Sequence, residues 1–416
     1  MNATATTPDT TVTTRVDPVI TGLGVHAPTG VTVADYWRNT LAGHSAIARV
    51  TRFDPSRYPA TLAGEIRDFD ASQLSGRLLP QTDISTRHAL VSSDAALRDA
   101  GITRDDRDDF EIGVVTASTS GGFEFGQKEL QKLWSQGSRH VSGYQSFAWF
   151  YAVNTGQLAI RHGARGPSSV VVADQAGGLD AFGKARRLIR GGTGVVLTGG
   201  FDSVLSPWGW LATLAAGNVS TSCDPARAYR PFAEDAAGFV PGEGGALTVL
   251  EHPDRARERG ARVYAHLRGY ASGLDPRPGS ARPPALARVI RAALADAGLE
   301  PSDIGVVFAD AAGVPELDQR EIDAVNCVFG FGAVPVTAPK TGTGRLFAGG
   351  GALDVATAAL AVDGGIIPPT PGIEDYPESG RLDLVRTPRD LAEPNALVLA
   401  RGGRGFTAAL ILGRPR

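Results

Sequence analysis

The segment with the clearest chemical possibilities is VVVADQAGGLD at residues 170–180. An apolar, strand-like run leads directly into the start of a helix, so Asp174 and Gln175 stand at the helix N-terminus. The free N–H groups there favour developing negative charge and would activate a cysteine as a nucleophile. Gln175 cannot attack, but its amide can donate a hydrogen bond to a carbonyl or enolate oxygen. Taken alone, the segment is explained more simply by a glutamine that caps or packs.

The rest of the sequence lacks the usual motifs of metal, phosphate and serine-hydrolase chemistry. None of the seven histidines forms an HxxxH or HxxEH pair, and there is no GxSxG or P-loop motif. Two cysteines, Cys223 and Cys327, cannot build a disulfide framework or a cysteine metal cluster. Cys223 lies in the polar turn TSCDPAR, and Cys327, in the helix-like DAVNCVFG, is predicted to be a small core residue.

The elements that must position these residues alternate between strand-like and helix-like stretches, which predicts the α/β class. The apolar runs are continuous, which is typical of a sheet covered by helices on both faces. They lie at 112–116, 169–173, 194–200, 244–251, 263–270, 304–310, 334–338, 395–401 and 406–412. Helices are predicted at 123–134, 175–190, 284–298, 316–329 and 350–362. The halves have a similar order, which makes a duplicated fold plausible, and the Pro/Gly-rich stretch 271–284 reads as the loop between them.

Composition bounds the remaining possibilities. The 416-residue chain is 42% hydrophobic and 20% charged with a net charge of −3, which is typical of a soluble globular protein and does not resemble a nucleic-acid footprint. No apolar run reaches the roughly 18 residues of a membrane span. Residues 1–15 are polar and Thr-rich and are predicted to be a disordered tail, followed by an N-terminal half at 16–255 and a C-terminal half at 256–416. The few cysteines fit a reducing, cytoplasmic location.

Over residues 16–416 the chain resembles the β-ketoacyl synthases of the thiolase superfamily, and most closely their chain-length factors, the ketosynthase β subunits of bacterial type II aromatic polyketide synthases. The segments that carry the resemblance include ITGLGVHAPTG at 20–30, TSGGFEFGQKEL at 119–130, GPSSVVVADQAGGLDA at 166–181, GFVPGEGGA at 238–246 and PKTGTGRLFAGGGALD at 339–354. ADQAGGLDA is a specific signal for this resemblance, whereas GFVPGEGGA marks the whole superfamily. The resemblance implies a thiolase-like, pseudo-duplicated, five-layered αβαβα fold.

The departures from an active synthase decide what the resemblance implies for chemistry. An active synthase has a cysteine where this chain has Gln175, a histidine where it has Asp310, and a second histidine where it has Arg345; Lys340 is kept. Condensation needs an acyl-thioester and imidazole donors that hold the enolate. The resemblance therefore implies a subunit that does not elongate by itself, and we expect Asp310 and Arg345 to form an ion pair that closes the vestigial pocket.

The resemblance also points to FEFGQKELQKLW at 123–134 as the wall of a substrate tunnel. Phe123, Gly126 and Leu130 are spaced i, i+3 and i+7, so they share one helix face. In the resemblance these are gate positions that limit the length of the poly-β-ketone. Glycine at 126 would open the gate, which predicts a long chain. Without the resemblance, a harmless helix glycine between two core residues is the simpler interpretation.

The implied partners are an active ketosynthase α subunit in a heterodimer, an acyl carrier protein and the growing poly-β-ketone, with no nucleic acid or membrane. We expect no cofactor or metal, since the substrates are carried on the phosphopantetheine of the carrier protein. Aromatic-rich SFAWFYAVNTG (146–156) is predicted at the subunit interface, and SPWGWLATL (206–214) in the core and tunnel. Five arginines are candidate contacts for an acidic carrier protein: Arg161, Arg165, Arg186, Arg187 and Arg190.

Two alternatives to the chain-length role stay open at this point. In the first, Gln175 assists decarboxylation of malonyl-carrier protein and so makes the acetyl primer, because a glutamine can polarise a thioester carbonyl. Asp310 weighs against this, since it places a negative charge where the developing enolate needs a donor. In the second, the chain is a scaffold with no effect on product length.

Overall fold

The computed structural model describes residues 16–105, 108–277, 279–373 and 381–415. Its strands are β1 (Val19–His26), β2 (Ile47–Arg49), β3 (Leu62–Gly64), β4 (Ile112–Ala117), β5 (Ser168–Val171), β6 (Val195–Asp202), β7 (Gly244–Glu251), β8 (Ala265–Leu274), β9 (Ile304–Phe308), β10 (Pro335–Thr337), β11 (Ile366–Ile367), β12 (Asp383–Leu384), β13 (Arg389–Asp390), β14 (Asn395–Arg401) and β15 (Phe406–Gly413). Its helices are α1 (Val33–Leu41), α2 (Ile84–Asp99), α3 (Phe123–Gln136), α4 (Val153–His162), α5 (Asp174–Arg190), α6 (Pro207–Ala216), α7 (Pro253–Glu258), α8 (Leu286–Ala297), α9 (Pro315–Phe329) and α10 (Ala348–Gly364).

The main sheet consists of two half-sheets with the same topology. The N-terminal half-sheet has the order β5-β4-β6-β7-β1, and the C-terminal one has the order β10-β9-β14-β15-β8, with β12 added beside β10. In each half-sheet the first three strands are parallel to one another. Each of the last two strands is antiparallel to the strand before it in the order. The halves join where Val19 and Ile20 of β1 pair with His266 and Ala265 of β8. The duplicated α/β fold predicted from the sequence is confirmed.

Helices lie on both sides of each half-sheet and produce five layers. The central layer is α5 and α10, which pack on each other and contact strands of both half-sheets. On one outer side α2 covers β1, β6 and β7 and packs against α4, while on the other α8 covers β8 and β15 and packs against α9. The order is therefore α-β-α-β-α, as the resemblance implied.

Close approach of the two central helices requires glycine. A Cβ added at Gly178 of α5 would lie 2.5 Å from the Ala348 carbonyl oxygen, and one at Gly351 of α10 would lie 2.4 Å from the Gln175 carbonyl oxygen. Both distances are shorter than real Cβ atoms tolerate. The small residues of ADQAGGLDA and AGGGALD therefore bring the N-terminal turns of α5 and α10 together, and with them the candidate site.

Three predictions about local structure need correction. Residues 271–274 are not a loop: they extend β8, because β15 pairs with them in a long-range ladder from Ala409 opposite Ala271 to Phe406 opposite Leu274. Strand β5 is not covered like its neighbours, since it lies at the sheet edge and is only partly buried. Cys327 is exposed, because it lies on an outer position of α9.

The predicted domain limits stay predictions. The proposed tail at 1–15 lies outside the described residues, and the boundary between 255 and 256 falls within the short helix α7. Among the described residues, no helix has the length and apolar character needed to cross a membrane.

Candidate functional site

Gln175 lies in the first turn of α5 and is fully buried. Its Nε2 group donates to the Asp310 carboxylate over 3.4 Å, a long hydrogen bond. Its Oε1 atom is buried and has no hydrogen-bond partner. The preceding residue, Asp174, has a left-handed backbone (φ 52°) and accepts a hydrogen bond from the backbone N–H of Gly403 at 2.7 Å. The turn before Gln175 is thereby tied to the loop after β14.

Asp310 follows β9 and is the centre of a buried cluster of charges. Its Oδ1 atom accepts from Arg345 Nη2 at 3.2 Å and from the backbone N–H of Arg401 at 2.8 Å. The Arg401 Nε atom lies 3.4 Å from Asp310 Oδ2, and Arg401 Nη2 donates to Glu321 at 3.1 Å. The ion pair between Asp310 and Arg345 that the sequence predicted is present, and Arg401 is a third member that the sequence analysis missed.

Lys340 lies in a short 3-10 helix before α10 and is nearly inaccessible. Its Nζ atom is 2.6 Å from Asp354 Oδ2 and donates to the Asp310 carbonyl oxygen at 3.2 Å. Arg345, which follows four residues after the end of that helix, donates to the Arg401 carbonyl oxygen at 2.6 Å. The structure therefore brings Gln175, Asp310, Lys340 and Arg345 together. This agrees with the resemblance, in which the four residues occupy the active-site positions of a synthase.

The surroundings of Asp310 and Arg345 keep both side chains in their charged forms. Burial by itself would raise the pKa of Asp310, but the cations of Arg345, Arg401 and Lys340 outweigh it, and the pKa is lowered. Burial by itself would lower the pKa of Arg345, but Asp310, Tyr229 and Asp174 together outweigh burial and raise it. For Asp354 burial dominates over the Lys340 ammonium and raises the pKa to about 6. Asp310 and Arg345 are therefore ionised throughout the physiological pH range.

This arrangement has no nucleophile or proton shuttle of the kind that acyl condensation needs. The two cysteines are both exposed, whereas the cluster is buried. The Gln175 amide donates to a carboxylate, so its N–H group is directed at a charge that repels an enolate. Among the described residues, no group of His, Cys, Asp and Glu could hold a metal ion. The geometry is that of a buried cluster of paired charges beside a buried amide.

A second site is formed by one face of α3 against α6. The Phe123 ring meets the Trp208 indole edge to face with centroids 5.0 Å apart. A Cβ added at Gly126 would lie 3.0 Å from Cζ3 of Trp208 and 3.5 Å from Cβ of Trp149. Leu130 and Trp208 line an apolar cavity of about 480 Å³ together with Trp134. The three predicted gate positions thus all face Trp208, and the space beside Gly126 is covered by this indole.

Large apolar side chains are exposed near this site. Trp149, Phe150 and Tyr151 are 45%, 37% and 38% exposed, and their rings contact one another in sequence. They precede α4, which packs on β4 and on the edge strand β5. In the second aromatic segment the two tryptophans differ, since Trp210 is fully buried whereas Trp208 is 39% exposed. Exposed aromatic clusters of this kind mark interaction surfaces.

The five arginines proposed as carrier-protein contacts do not form one basic face. Arg186 is buried, because it forms ion pairs with Asp296 and Asp17 beneath the surface, so the prediction for this residue is wrong. Arg161 forms a two-point ion pair with Asp94. The other three are exposed; Arg165 and Arg190 have carboxylate neighbours, and Arg187 is on the outer face of α5.

Comparison with known proteins gives matches over nearly the whole chain. The model for the β-ketoacyl synthase N-terminal domain matches residues 17–256, and that for the C-terminal domain matches residues 264–374. The chain is 55% identical over 400 residues to the ketoacyl synthase β subunit of the tetracenomycin polyketide synthase from Streptomyces glaucescens, covering 95% of this chain and 98% of the relative. It is 57% identical over 399 residues to a protein named as actinorhodin polyketide β-ketoacyl synthase 2 from Streptomyces coelicolor, with 95% and 98% covered.

Solved structures match the fold over the same length. A type II polyketide synthase acyl-carrier protein in complex with its ketosynthase bound to the hexaketide matches with a TM-score of 0.85 and 25% identity, covering 96% of this chain and 100% of that chain. The ishigamide ketosynthase/chain length factor matches with the same TM-score and identity, covering 97% and 100%.

Proposed function

The chain belongs to the β-ketoacyl synthase family, among the ketosynthase β subunits of type II polyketide synthases, and we propose that it is a non-elongating subunit that sets product length. It pairs with an active ketosynthase α subunit and forms part of the tunnel that receives the poly-β-ketone. Its surroundings are the cytoplasm, which suits two exposed, free cysteines.

The observation that carries this proposal is the buried cluster formed by Gln175, Asp310 and Arg345. The position of the nucleophile holds the buried amide of Gln175, and the positions of both histidines hold the ion pair of Asp310 and Arg345. In the proposed heterodimer the partner's cysteine carries the chain as a thioester. Malonyl on the phosphopantetheine of the carrier protein loses carbon dioxide, its enolate carbon attacks the thioester carbonyl, and the partner's thiolate leaves. No cofactor takes part.

The partner surface is proposed on the edge of the N-terminal half-sheet. Strand β5 pairs with β4 on one side and is the last strand of the sheet among the described residues, so the backbone of its other edge is open to a further strand. The aromatic cluster of Trp149, Phe150 and Tyr151 leads into α4, which packs on β5. An open edge and exposed rings together suit a large, obligate interface.

The gate is proposed at the face of α3 that carries Phe123, Gly126 and Leu130. Because the two gate residues after Phe123 are a glycine and a leucine, the wall presents less bulk than aromatic residues would, which supports a product toward the long end of the family's range. Trp208 of α6 lies across this face, so the width of the passage is set between the two helices.

The decarboxylase alternative has less support. Gln175 Nε2 donates to the Asp310 carboxylate, so this amide is engaged by a negative charge where an enolate oxygen would need it as a donor. An assay of carbon dioxide release with Gln175→Ala in this chain separates the two functions: a length-setting subunit leaves the rate of release unchanged.

The direct test is Gly126→Phe in the heterodimer, with malonyl-carrier protein as substrate and mass analysis of the polyketide. The Cβ atom alone would already lie 3.0 Å from Trp208, so a benzyl group must displace the indole into the cavity and narrow it. We expect shorter products. Lys128→Phe is the matched control, since it adds the same side chain to an exposed position two residues along α3 and removes only an exposed ion pair with Glu124. Unchanged length with Gly126→Phe would leave a scaffold role and refute the gate.

A further inference from the structure

The helix that carries the gate has no cap of its own. Gly122 stands at the N-cap position of α3 and makes no side-chain hydrogen bond to the first turn. The first turn nevertheless contains two of the three gate residues, Phe123 and Gly126. Four N–H groups at a helix N-terminus need partners from elsewhere, and an uncapped end frays. The position of the gate therefore depends on groups outside α3.

Asp83 supplies the missing cap. It is the N-cap residue of α2, where its Oδ1 atom accepts from the backbone N–H of Ser85 at 2.9 Å. Its Oδ2 atom accepts from the backbone N–H of Phe125, in the first turn of α3, also at 2.9 Å. Asp83 is only 2% exposed. One buried carboxylate thus caps two helices, and it holds the first turn of α3 on the scaffold of α2.

A second buried carboxylate fixes the loop that leads into α3. Asp202, at the end of β6, accepts from the backbone N–H groups of Thr119 and Ser120 and from the Ser118 hydroxyl, at 2.9 to 3.1 Å. It also accepts from the backbone N–H of Ala348, the first residue of α10, at 3.0 Å. The approach to the gate helix is thereby tied to the central layer.

We propose that Asp83, supported by Asp202, is a positioning residue for product length: its carboxylate holds the first turn of α3 so that Phe123 and Gly126 stand at a fixed separation from Trp208. This rests on the proposed function. The Phe123 and Trp208 rings are in edge-to-face contact, and the Gly126 backbone approaches the indole closely, so a displacement of the first turn on the order of 1 Å changes the passage. Loss of Asp83 allows several positions of the turn, and the product lengths become mixed.

The test measures product distribution and melting temperature of the heterodimer with Asp83→Ala and Asp83→Asn. The asparagine variant keeps a single acceptor oxygen, so it can cap one helix only. The matched control is Asp318→Asn, because Asp318 is equally buried and accepts from two backbone N–H groups, those of Phe232 and Gly313, at 3.0 Å each. It lies in the C-terminal half, away from α3.

We expect Asp83→Ala to lower the fraction of the main product about two-fold, with both shorter and longer chains, because an active-site wall that is loose by about 1 Å loses selectivity. Asp83→Asn gives a smaller change in the same direction. Asp318→Asn lowers the melting temperature but keeps the distribution. A drop in melting temperature with an unchanged distribution in both Asp83 variants would overturn the proposal and leave a purely structural cap.

Two further measurements keep the outcome decisive. If Asp83→Ala does not fold, Asp83→Asn carries the test alone: a broader product distribution, with faster hydrogen exchange at the Phe125 amide than in the parent protein, supports the proposal. An unchanged product distribution refutes it, whichever amide exchanges faster. Gly126→Phe in the same series separates the two proposals. If Gly126→Phe shortens the product while Asp83→Ala has no effect, only the positioning role fails; if neither variant has an effect, the gate itself fails.

Discussion

Replacing Asp310 with asparagine should destabilise the protein by several kcal/mol without changing the shape of the site. The change removes one negative charge from a buried position that has Arg345 Nη2 at 3.2 Å and Arg401 Nε at 3.4 Å. Removing one member of a buried ion pair costs about 3–5 kcal/mol, because the remaining charge has lost both water and its partner. Arg401 keeps Glu321, so the Arg345 guanidinium bears most of the cost.

The expected change in melting temperature follows from chain length. At about 2.1 cal/mol/K per residue, the entropy of unfolding for 416 residues is about 0.9 kcal/mol/K. A loss of about 4 kcal/mol therefore lowers the melting temperature by about 5 °C. Differential scanning calorimetry of the purified protein at pH 7 measures this directly. Asp383→Asn is the control, since its ion pair with Arg389 is partly exposed to solvent and contributes about 0–1 kcal/mol.

The double variant Asp310→Asn/Arg345→Met completes the test. Removing both charges of a buried pair is far less costly than removing one, so the double variant should recover about 2 kcal/mol relative to Asp310→Asn. Two results would contradict the reasoning: Asp310→Asn melts within about 1 °C of the parent protein, or the double variant is no more stable than Asp310→Asn. Either result would show that Asp310 and Arg345 do not form a buried ion pair in solution.

Two other predictions concern pH dependence and assembly. His26 and His88 form a buried pair with their Nδ1 atoms 3.0 Å apart, and burial lowers the pKa of His26 to about 4. The unfolded chain takes up a proton at His26 near pH 6.5, whereas the folded chain does so only near pH 4. His26 alone should therefore lower stability by at most about 1.4 kcal/mol per pH unit as pH drops from 6.5 towards 4, and buried His88, whose pKa is also lowered, adds a loss in the same direction. Between pH 7 and pH 5 the melting temperature of His26→Asn should depend less steeply on pH than that of the parent protein, and an equal slope contradicts this origin. Trp149→Arg should prevent copurification with the ketosynthase α subunit while leaving the melting temperature of the isolated chain unchanged, because the ring is 45% exposed there. Phe331→Arg, at an exposed position of the C-terminal half, should copurify normally, and retention of the partner by Trp149→Arg would remove the proposed interface.

The sequence predicted the layered fold well because its signals are local and strong. Continuous apolar runs predict the approximate positions of the strands of the two half-sheets other than β1, from 112–116 to 406–412. The errors arise where long-range contacts decide. Residues 271–274 look like a loop by composition, yet they form strand because β15 offers a free edge. Cys327 and Arg186 were assigned to the wrong side of their helices, since one residue does not define a helix face.

Some residues of the candidate site could be located from the sequence, and others could be found only from the structure. Motif positions located Gln175, Asp310, Lys340 and Arg345, but nothing in the sequence marks Arg401, whose backbone N–H and side chain reach Asp310 only after β14 and β9 pair. Asp83 carried a partial signal, since an Asp two residues before Ser85 and directly before a helix is a typical N-cap. Its second bond, to Phe125, joins residues 42 positions apart and is visible only in three dimensions.

The fold separates the two properties that a length-setting subunit needs. The charge cluster lies at the carboxyl ends of β9 and β14, next to the start of α10, and is buried, so a change there alters the free energy of unfolding through loss of ion pairs. The α3 face lies beside exposed aromatic rings and an open cavity, where an added side chain meets a partly exposed indole that can move. Substitutions in the cluster should therefore change stability with little effect on product length, and substitutions on the α3 face should change length with little effect on stability. An Asp310 variant that shortens the polyketide as strongly as Gly126→Phe does would mean that the two regions act as one unit, and the division of roles between them would be wrong.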